Sequence, residues 1–378
     1  MKEEGARKVV FLTGTRADFG KIKALLRTLE NAGGFEIYLF VTGMHLMSRY
    51  GSTWEEVRAT GVGHIYTFIN QNHDDSMEAV FAKTVSGFSD YVREIQPDLV
   101  VVHGDRVETL AGATVGALAG VRVAHIEGGE VSGTVDELIR HAVTKLAHVH
   151  LVANAEARAR VLQLGEAEES VYIIGSPDID VMDSGDLPDI SEVKRYYEIP
   201  FDDFCILIFH PVTTELDRLP QDVRTVVDFV LSTELNFIVI LPNNDAGAHF
   251  IFDEYARLST HPRFKCFPSM RFEYFLSAMR SATAVVGNSS AGVREAPHFG
   301  VPAVNIGTRQ FRRSDSPQVI NSDITLASLG KALDRAMNLP RVRDTKFGNG
   351  DSSERFLDLM KSDSLWSTPI QKTFVDRA

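Results

Sequence analysis

The chain has 378 residues, and at roughly 150 residues per domain this length predicts two domains. A composition of 44% hydrophobic and 24% charged residues excludes wholesale disorder. The 51 acidic residues against 39 Lys and Arg give a formal net charge of −12, which argues against bulk binding to nucleic acid or to anionic membranes. A small anionic ligand is not excluded, because a binding site is local and net charge is global.

Cysteine content and the N-terminal sequence predict a cytoplasmic protein. Cys205 and Cys266 are too few for a disulfide framework or a thiolate zinc site, and each lies in an apolar run, as buried reduced thiols do. The start, Met1-Lys2-Glu3-Glu4, is acidic as well as basic and is a poor signal peptide. No apolar segment approaches the roughly 18 residues that span a bilayer.

The first half alternates short apolar runs with amphipathic stretches. The apolar runs predict buried parallel strands at 8–14, 36–41, 98–103, 121–126, 149–153 and 171–175. The amphipathic stretches predict helices at 18–31, 54–60, 76–95, 107–119, 135–147 and 155–164. This alternation predicts a doubly wound α/β sheet, with functional residues in the loops that follow the carboxyl ends of the strands.

A polar, Pro-containing segment at 176–200 then predicts a linker. The alternation resumes with predicted strands at 204–209, 236–241, 263–267, 283–287 and 301–306. Residues 351–378 predict two further short helices. The predicted fold class is therefore α/β, with two Rossmann-like domains in tandem and a ligand site in the cleft between them.

The first predicted strand ends in Gly14-Thr15-Arg16-Ala17-Asp18-Phe19-Gly20-Lys21. Glycines allow close backbone approach, a helix N-terminus favours an anion, and Arg16 and Lys21 add positive charge. The string lacks the residue order of a Walker loop and the three spaced glycines of a dinucleotide fingerprint. It is equally compatible with an ordinary strand–helix turn that carries solvated basic residues.

Three ionisable clusters come next: His103-Gly104-Asp105-Arg106, His125-Ile126-Glu127-Gly128-Gly129-Glu130 and Asp136-Glu137-Leu138-Ile139-Arg140-His141. Loops at the carboxyl ends of neighbouring parallel strands converge, so we expect Asp105, Glu127 and Asp136 to lie close together and to do acid–base work. The alternatives are a helix cap at Asp136 and a structural ion pair between Asp105 and Arg106. Three such clusters together favour function.

The second half carries its own polar strand ends. His210, in Phe209-His210-Pro211-Val212-Thr213-Thr214-Glu215, is a candidate acid, base or phosphate partner, although a lone histidine is usually structural. The string Pro242-Asn243-Asn244-Asp245-Ala246-Gly247 is compatible with a simple Asx turn. The histidines lack ligand-like spacing, so no metal site is predicted.

The string Gly287-Asn288-Ser289-Ser290-Ala291-Gly292-Val293-Arg294-Glu295 is the most informative of this half. Ser289 and Ser290 at a helix N-terminus offer hydroxyl and backbone N–H groups to a diphosphate. Glu295 is placed to accept hydrogen bonds from ribose hydroxyls, and Arg309 adds a cation after the next predicted strand.

Seven strings, in chain order, are GTRADFGK, HGDR, HIEGGE, SGTVDELIRH, FHPVTTE, PNNDAG and GNSSAGVREAP. In this order and at about this spacing they resemble the hydrolysing UDP-N-acetylglucosamine 2-epimerases of bacterial sialic acid pathways, and also the epimerase half of the animal bifunctional epimerase/kinase, over nearly the whole chain. Non-hydrolysing relatives usually carry Gly-Thr-Arg-Pro-Glu and His-Arg, so Ala17-Asp18 and His210-Pro211 favour the hydrolysing branch. Where this chain has Asp136-Glu137, the animal form has two Asp residues, so we favour Asp136 over Glu137 as the functional residue. Where this chain has Gly20, the animal form has Ser, so we assign Gly20 at most a backbone role.

The resemblance implies a glycosyltransferase-B-like fold that needs no cofactor. It implies a Rossmann-like domain at 1–178 with the catalytic carboxylates, a UDP-binding Rossmann-like domain at 179–363, and a C-terminal helix at 364–378 that packs back on the first domain. The implied reaction eliminates UDP and the C-2 proton to give 2-acetamidoglucal, and then adds water to give N-acetylmannosamine. The implied partners are the UDP-sugar and further copies of the chain, in a homodimer or homotetramer.

The resemblance also implies roles for individual residues. The catalytic set is Asp105, Glu127, Asp136 and His210, with the choice of the carboxylate that removes the C-2 proton left open. The substrate-binding set is Arg16, Gly20, Lys21, Arg106, Arg140, Asn243, Met270, Ser289, Ser290, Glu295 and Arg309. In this set the Met270 backbone meets uracil and Glu295 meets ribose.

Several alternatives stay open from the sequence. The same chemistry on UDP-2,4-diacetamido-2,4,6-trideoxyglucose or on GDP-N-acetylglucosamine would serve legionaminic-type acids. A retaining glycosyltransferase would share the fold but would need an acceptor sugar to release UDP. A catalytically silent nucleotide-sugar-binding regulator would bind UDP without turnover, and the intact set of carboxylates disfavours it.

Overall fold

The computed structural model describes residues 5–72, 75–132, 134–310 and 312–376. The chain divides into two compact units: unit 1 is Met1–Glu130, Asp136–Ser184 and Lys346–Ala378, and unit 2 is Val131–Val135 and Gly185–Thr345. Each unit holds one parallel sheet with helices, which confirms the predicted fold class of two α/β domains. Unit 1 extends to Ser184, past the predicted limit at 178. The chain returns to unit 1 at Lys346, well before residue 364, where the returning segment was predicted to begin. Residues 1–4, 73, 74 and 133 of the predicted first domain lie outside the described residues.

The sheet of unit 1 has seven parallel strands. They are β1 (Arg7–Thr13), β2 (Phe35–Val41), β3 (His64–Thr67), β4 (Leu99–His103), β5 (Arg122–Ile126), β6 (Val149–Val152) and β7 (Val171–Ile173). Their spatial order is β3-β2-β1-β4-β5-β6-β7, so the direction of winding reverses between β1 and β4. Ligands of doubly wound sheets bind outside the carboxyl ends of the strands at such a reversal.

The sheet of unit 2 repeats this plan with six parallel strands. They are β8 (Cys205–Ile208), β9 (Phe237–Ile240), β10 (Phe264–Phe267), β11 (Val285–Gly287), β12 (Ala303–Ile306) and β13 (Val319–Ser322). The order β10-β9-β8-β11-β12-β13 reverses between β8 and β11. The predicted cluster residues His210 and Ser289 follow these two strands.

Helices cover both sheets. In unit 1 they are α1 (Arg16–Ala32), α2 (Trp54–Ala59), α3 (Met77–Ile95), α4 (Val107–Leu118), α5 (Val135–Leu146), α6 (Ala155–Gln163) and α7 (Pro177–Asp183). Those of unit 2 are α8 (Ile190–Tyr196), α9 (Leu219–Ser232), α10 (Ala248–Ser259), α11 (Phe272–Ser281), α12 (Glu295–His298) and α13 (Leu326–Met337). The chain ends in unit 1 with α14 (Ser352–Lys361) and α15 (Asp363–Ser367). No helix in the described parts of the chain is long and apolar enough to cross a membrane.

Burial explains why the strands form where the sequence predicts them. All five residues of β4 and all four of β6 are buried, as expected for central parallel strands covered on both faces. The two strands that the sequence did not predict, β3 and β13, pair on one side only and lie at the edges of their sheets. An edge strand needs no continuous apolar run, and three of the four β3 residues are exposed.

The boundary between the two units, at Ser184 and Gly185, falls inside the predicted linker at 176–200. This segment also contains α7 and α8, and α7 begins with Pro177, which suits a first helical turn. The predicted C-terminal helix at 364–378 is wrong beyond Ser367, where α15 ends. The chain continues from there to residue 376 without helix. Thr368 precedes Pro369, whose ring disfavours helical backbone at the preceding residue. Residues 377 and 378 lie outside the described residues.

Gly287 sits where β11 pairs with β8 beside the reversal of unit 2. Its φ is +141°, and a methyl group there would lie 1.8 Å from the carbonyl oxygen of Ile208. Neither the backbone conformation nor the contact tolerates a side chain. The glycine is therefore required for the turn that presents the residues after β11.

We expect Gly287→Ala to lower the free energy of unfolding by about 3 kcal/mol, because the added methyl displaces β11 and the backbone is strained. Chemical denaturation with equal m-values measures this. Gly330→Ala is the control: Gly330 lies in α13 with open space around its Cα, so alanine should stabilise by up to about 1 kcal/mol. Equal effects of the two substitutions would contradict the account.

Candidate active site

The candidate site of unit 1 is built around Arg140 of α5, whose side chain is fully buried. Its Nη2 donates to Asp105 Oδ2, its Nη1 donates to the backbone carbonyl of Glu127 at 2.8 Å, and the same Nη1 lies 4.0 Å from Glu127 Oε2. One guanidinium thus joins the loops that follow β4 and β5. The ion pair suggested between Asp105 and Arg106 is replaced by the pair between Asp105 and Arg140.

Glu127 has a strained backbone and a crowded carboxylate. Its φ of +67° is in the left-handed region, which is uncommon for a residue other than glycine. Oε1 lies 3.3 Å from Lys21 Nζ and 3.3 Å from His103 Nε2, and it accepts a hydrogen bond from Ser176 Oγ at 3.4 Å. Strain of this kind persists only when surrounding contacts hold it, and it concentrates at functional sites.

His103 links Glu127 to a second carboxylate. Its Nδ1 lies 2.9 Å from Asp18 Oδ1, and the other oxygen of Asp18 accepts from the backbone N–H of Gly14 at 3.1 Å. Burial acts to lower the pKa of His103, but the Glu127 carboxylate and the hydrogen bonds to Asp18 and Glu127 outweigh it and raise the pKa to about 9. The imidazole is therefore charged at neutral pH.

Lys21 belongs to the same buried cluster. Its ammonium lies 3.3 Å from Glu127 and 3.5 Å from Asp178 Oδ2, and the Asp178 side chain is fully buried in α7. Three cations, Lys21, His103 and Arg140, therefore contact four carboxylates, Asp18, Asp105, Glu127 and Asp178. Lys21 neutralises protein carboxylates here, and its role in binding a substrate stays a prediction.

Two predicted basic residues pair with other carboxylates. Arg16 is the first residue of α1, and its Nη2 donates to Glu56 of α2. Arg106 precedes α4, and its Nε lies 3.6 Å from Glu108 Oε2. Both arginines lie near the carboxyl ends of β1 and β4, and their contact with substrate stays a prediction.

The remaining predicted residues of unit 1 lie on helices. Asp136 is in the first turn of α5, one turn before Arg140, and is half-buried. Gly20 is buried within α1. A carboxylate in the first turn of a helix stabilises the helix N-terminus, so the position of Asp136 is compatible with this structural role as well as with a catalytic role.

In unit 2, Asn288 holds His210 in place. Asn288 Oδ1 accepts from the His210 backbone N–H at 2.7 Å, and Asn288 Nδ2 donates to the His210 carbonyl at 2.8 Å. His210 Nδ1 accepts the backbone N–H of Asn243 at 3.2 Å. A nitrogen that accepts carries no proton, so in the neutral ring the proton is on Nε2.

The loop after β11 also receives basic and amide side chains. Arg309 Nη1 and Gln310 Nε2 donate to the carbonyl of Asn288 at 3.3 Å and 3.2 Å. Ser289 Oγ accepts from the backbone N–H of Ala291 at 3.3 Å. Ser289 is the N-cap of a single 3₁₀ turn, Ser290–Gly292, so the helix that the sequence predicts to begin at the two serines is only one turn long.

The other predicted residues of unit 2 lie in a turn, in the core or in a buried helix. Asn243 Oδ1 accepts from the backbone N–H of Asp245 at 3.4 Å, as in the Asx turn considered from the sequence, and Asn243 Nδ2 donates to Asp245 Oδ2 at 2.6 Å. Met270 packs in the core of unit 2 between β10 and α11, which leaves its backbone as the group for its predicted role. Glu295, the first residue of α12, is buried.

Sequence reasoning missed four members of these networks. Asp18, His103 and Asn288 stand inside the quoted strings, and the signal was a polar residue at the end of a buried run. Asp178 was assigned to the linker, where nothing in the sequence marks it as buried. Within the described ranges, His, Cys, Asp and Glu side chains form no group of three or more that could hold a metal ion.

Comparison with known proteins gives consistent results. The family model described as UDP-N-acetylglucosamine 2-epimerase matches residues 27–361. A Neisseria meningitidis serogroup B protein named UDP-N-acetylglucosamine 2-epimerase is 45% identical over 374 residues, which are 98% of this chain and 99% of that protein. A Legionella pneumophila subsp. pneumophila protein named UDP-N,N'-diacetylbacillosamine 2-epimerase (hydrolyzing) is 34% identical over 372 residues, 97% of this chain and 98% of that protein.

The fold also matches a solved structure. The Methanocaldococcus jannaschii UDP-GlcNAc 2-epimerase, in complex with UDP-GlcNAc and UDP, superimposes with a TM-score of 0.80 at 20% identity and covers 93% of this chain and 99% of that chain. This likeness confirms the predicted glycosyltransferase-B-like fold.

The raised pKa of His103 predicts how stability depends on pH. Its folded-state pKa of about 9 exceeds the ordinary value of 6.5, so its stabilising charge is fully present below about pH 6.5 and is lost as the pH rises through 9. We expect the difference in free energy of unfolding between the wild type and His103→Gln to be largest near pH 6 and to vanish near pH 10. Denaturation at a series of pH values measures it.

The exposed His249 provides the control, because His249→Gln removes a histidine without touching the cluster. Its difference from the wild type should stay flat over this range. A His103→Gln difference that is constant, or that grows with pH, would show that His103 is not held protonated between Asp18 and Glu127.

Proposed function

Because this chain belongs to the UDP-N-acetylglucosamine 2-epimerase family, we propose that it is a hydrolysing 2-epimerase. It converts UDP-N-acetylglucosamine and water into N-acetylmannosamine and UDP, the first step towards sialic acids. The observation that carries the proposal is the buried cluster in which Arg140 joins Asp105 to Glu127, because this chemistry needs carboxylates held ready at fixed positions. The Legionella relative named as hydrolyzing supports the use of water.

The first half of the reaction is an elimination. The bond between C-1 and the UDP oxygen breaks, its electron pair leaves with UDP, and a carboxylate takes the C-2 proton as the C-1–C-2 double bond forms. General-base help of this kind contributes roughly 10²–10⁴ in rate. Asp105, Glu127 and Asp136 are the candidate carboxylates of unit 1. The excess of carboxylates over cations in the cluster also favours the positive charge that develops at C-1.

The second half adds water to the 2-acetamidoglucal. A hydroxyl group joins C-1 and a proton returns to C-2 on the face opposite to the one it left, which inverts C-2. This step needs a proton donor as well as a base. His103 supplies a protonated group beside Glu127, so the pair holds a proton within reach of a carboxylate.

The residues of unit 2 account for binding of the leaving group. Arg309, the hydroxyls of Ser289 and Ser290, and the Nε2–H of His210 are donors for the diphosphate, whose negative charge grows as the bond to C-1 breaks. One donor of this kind is typically worth about 10²–10³ in rate. Glu295 and the Met270 backbone are proposed for ribose and uracil.

The main alternative substrate differs from UDP-N-acetylglucosamine in its sugar. A UDP-2,4-diacetamido-2,4,6-trideoxyhexose would undergo the same steps, and the Legionella relative is named for such a substrate. The Neisseria relative, more similar at 45% identity, is named for UDP-N-acetylglucosamine. We therefore assign UDP-N-acetylglucosamine as the preferred substrate, ahead of the diacetamido sugar and of GDP-N-acetylglucosamine.

The reaction in deuterated water tests this function. UDP-N-acetylglucosamine should give UDP without any acceptor sugar, and the N-acetylmannosamine formed should carry one deuterium at C-2, because the proton lost in the elimination is replaced from solvent. Mass spectrometry and the loss of the H-2 signal in NMR measure it. The two competing substrates should turn over with lower kcat/KM in the same assay.

N-acetylmannosamine incubated with enzyme and UDP in deuterated water is the control, and it should gain no deuterium during the assay. Product that keeps the original hydrogen at C-2 would exclude the elimination route. Release of UDP only when an acceptor sugar is present would indicate a glycosyltransferase instead.

A further inference from the structure

The segment after α15 runs along unit 1 without helical structure and is held at several points. Gly165, with a φ of +80°, leaves room for the ring of Phe374, because a methyl group there would lie 2.3 Å from that ring. Three backbone groups of the segment are also hydrogen-bonded: Thr368 O by Arg122 Nε at 2.9 Å, Ile370 O with His148 Nε2 at 3.1 Å, and Val375 N–H to Gly165 O at 3.0 Å.

Lys372 of this segment places its ammonium at the C-terminal end of α5. It donates to the carbonyls of Thr144 at 3.2 Å, Lys145 at 3.0 Å and Ala147. The last carbonyls of a helix have no partner within the helix, and their partial negative charge attracts a cation. A single side chain, supplied from more than 200 residues further along the chain, therefore satisfies the end of α5.

A buried carboxylate keeps the ammonium there. Glu166 is 2% exposed, and its carboxylate contacts three nitrogens. Oε2 lies 2.7 Å from Lys372 Nζ and 3.0 Å from His150 Nε2, and Oε1 lies 2.6 Å from Lys145 Nζ. Burial acts to raise the pKa of Glu166, but its contacts with His150 and the two lysines hold it down at about 2. The cations and this anion compensate one another, as a buried ion pair requires.

The helix that Lys372 holds is the one that carries Arg140. The three carbonyls follow Arg140 by four to seven residues, which is about 6–10 Å along the helix axis. Arg140 is fully buried and reaches Asp105 and the carbonyl of Glu127. A shift or fraying at the end of α5 therefore moves the guanidinium that aligns the two carboxylates.

We propose that Lys372 is a positioning residue for the reaction: by fixing the C-terminal end of α5, it keeps Arg140 in register with Asp105 and Glu127. The inference rests on the proposed function, since turnover is one of its readouts. The partners of Lys372 named above all belong to unit 1, so the groups proposed to bind UDP in unit 2 should be unaffected.

The test is Lys372→Met, assayed at a temperature where every variant is folded. Misplacement of the catalytic groups by a fraction of an ångström should lower kcat about tenfold. KM for UDP-N-acetylglucosamine and the Kd of UDP should stay within about twofold, and Lys372→Arg should recover most of kcat because a guanidinium still donates to the three carbonyls. Lys361→Met, an exposed lysine on α14, is the matched control and should behave as the wild type.

Amide hydrogen exchange of α5 gives a readout that does not depend on turnover. Exchange over residues 140–147 should accelerate in Lys372→Met and stay unchanged in Lys361→Met. If the wild type does not act on the UDP-sugar, the proposed function fails while this readout still tests the role of Lys372. If Lys372→Met does not fold, Lys372→Gln carries the same measurements, because it removes the charge and keeps a polar N–H donor on a slightly shorter side chain. Unchanged exchange, or unchanged kcat in an active enzyme, would overturn the proposal.

Discussion

The arrangement of unit 1 depends on the requirement that a buried charge be compensated. Arg140 has no exposure to solvent, and an uncompensated guanidinium in that position would cost several kcal/mol. Asp105 and the Glu127 carbonyl meet this requirement, and by doing so they are brought to one point from two different strand ends. The same constraint extends outward through Glu127 to Lys21 and His103. Charge compensation thus sets the positions of the carboxylates that we propose for the reaction.

The two units solve the same topological problem with different chemistry. In both, candidate site residues follow the strands at which the winding reverses, and in unit 1 Glu127 follows the next strand, β5. Unit 1 fills that place with paired charges, which suit proton transfer. In unit 2, Asn288 bonds both backbone groups of His210 and its carbonyl accepts from Arg309, so hydrogen bonds fix the loops that carry the donors proposed for a diphosphate.

The sequence predicted the central elements of the fold, and several of its candidate site residues lie together in the structure. Apolar runs mark the central strands because those strands are buried on both faces, and polar residues directly after such runs are visible for the same reason. The edge strands β3 and β13 lack this signal. So does Asp178, which is buried by tertiary packing of α7 within a segment that is polar in sequence.

Contacts between distant residues were beyond the sequence. The neighbour of Asp105 in sequence is Arg106, yet its partner is Arg140, which only the packing of α5 on the sheet provides. The sequence likewise predicted that Arg16, Lys21 and Arg106 provide positive charge for an anionic substrate. Each of them contacts a carboxylate in the structure, and for Lys21, which is buried, the counter-ion is required.

The most direct test of the central claim is the turnover and UDP affinity of Asp105→Asn, which keeps the shape of the side chain and removes its charge. If unit 1 performs the proton transfers and unit 2 binds the nucleotide, kcat should fall by about 10³ or more while the Kd of UDP stays within twofold. Asp90→Asn on the exposed face of α3 should match the wild type. Retention of turnover, or loss of turnover and UDP binding together, would contradict the account.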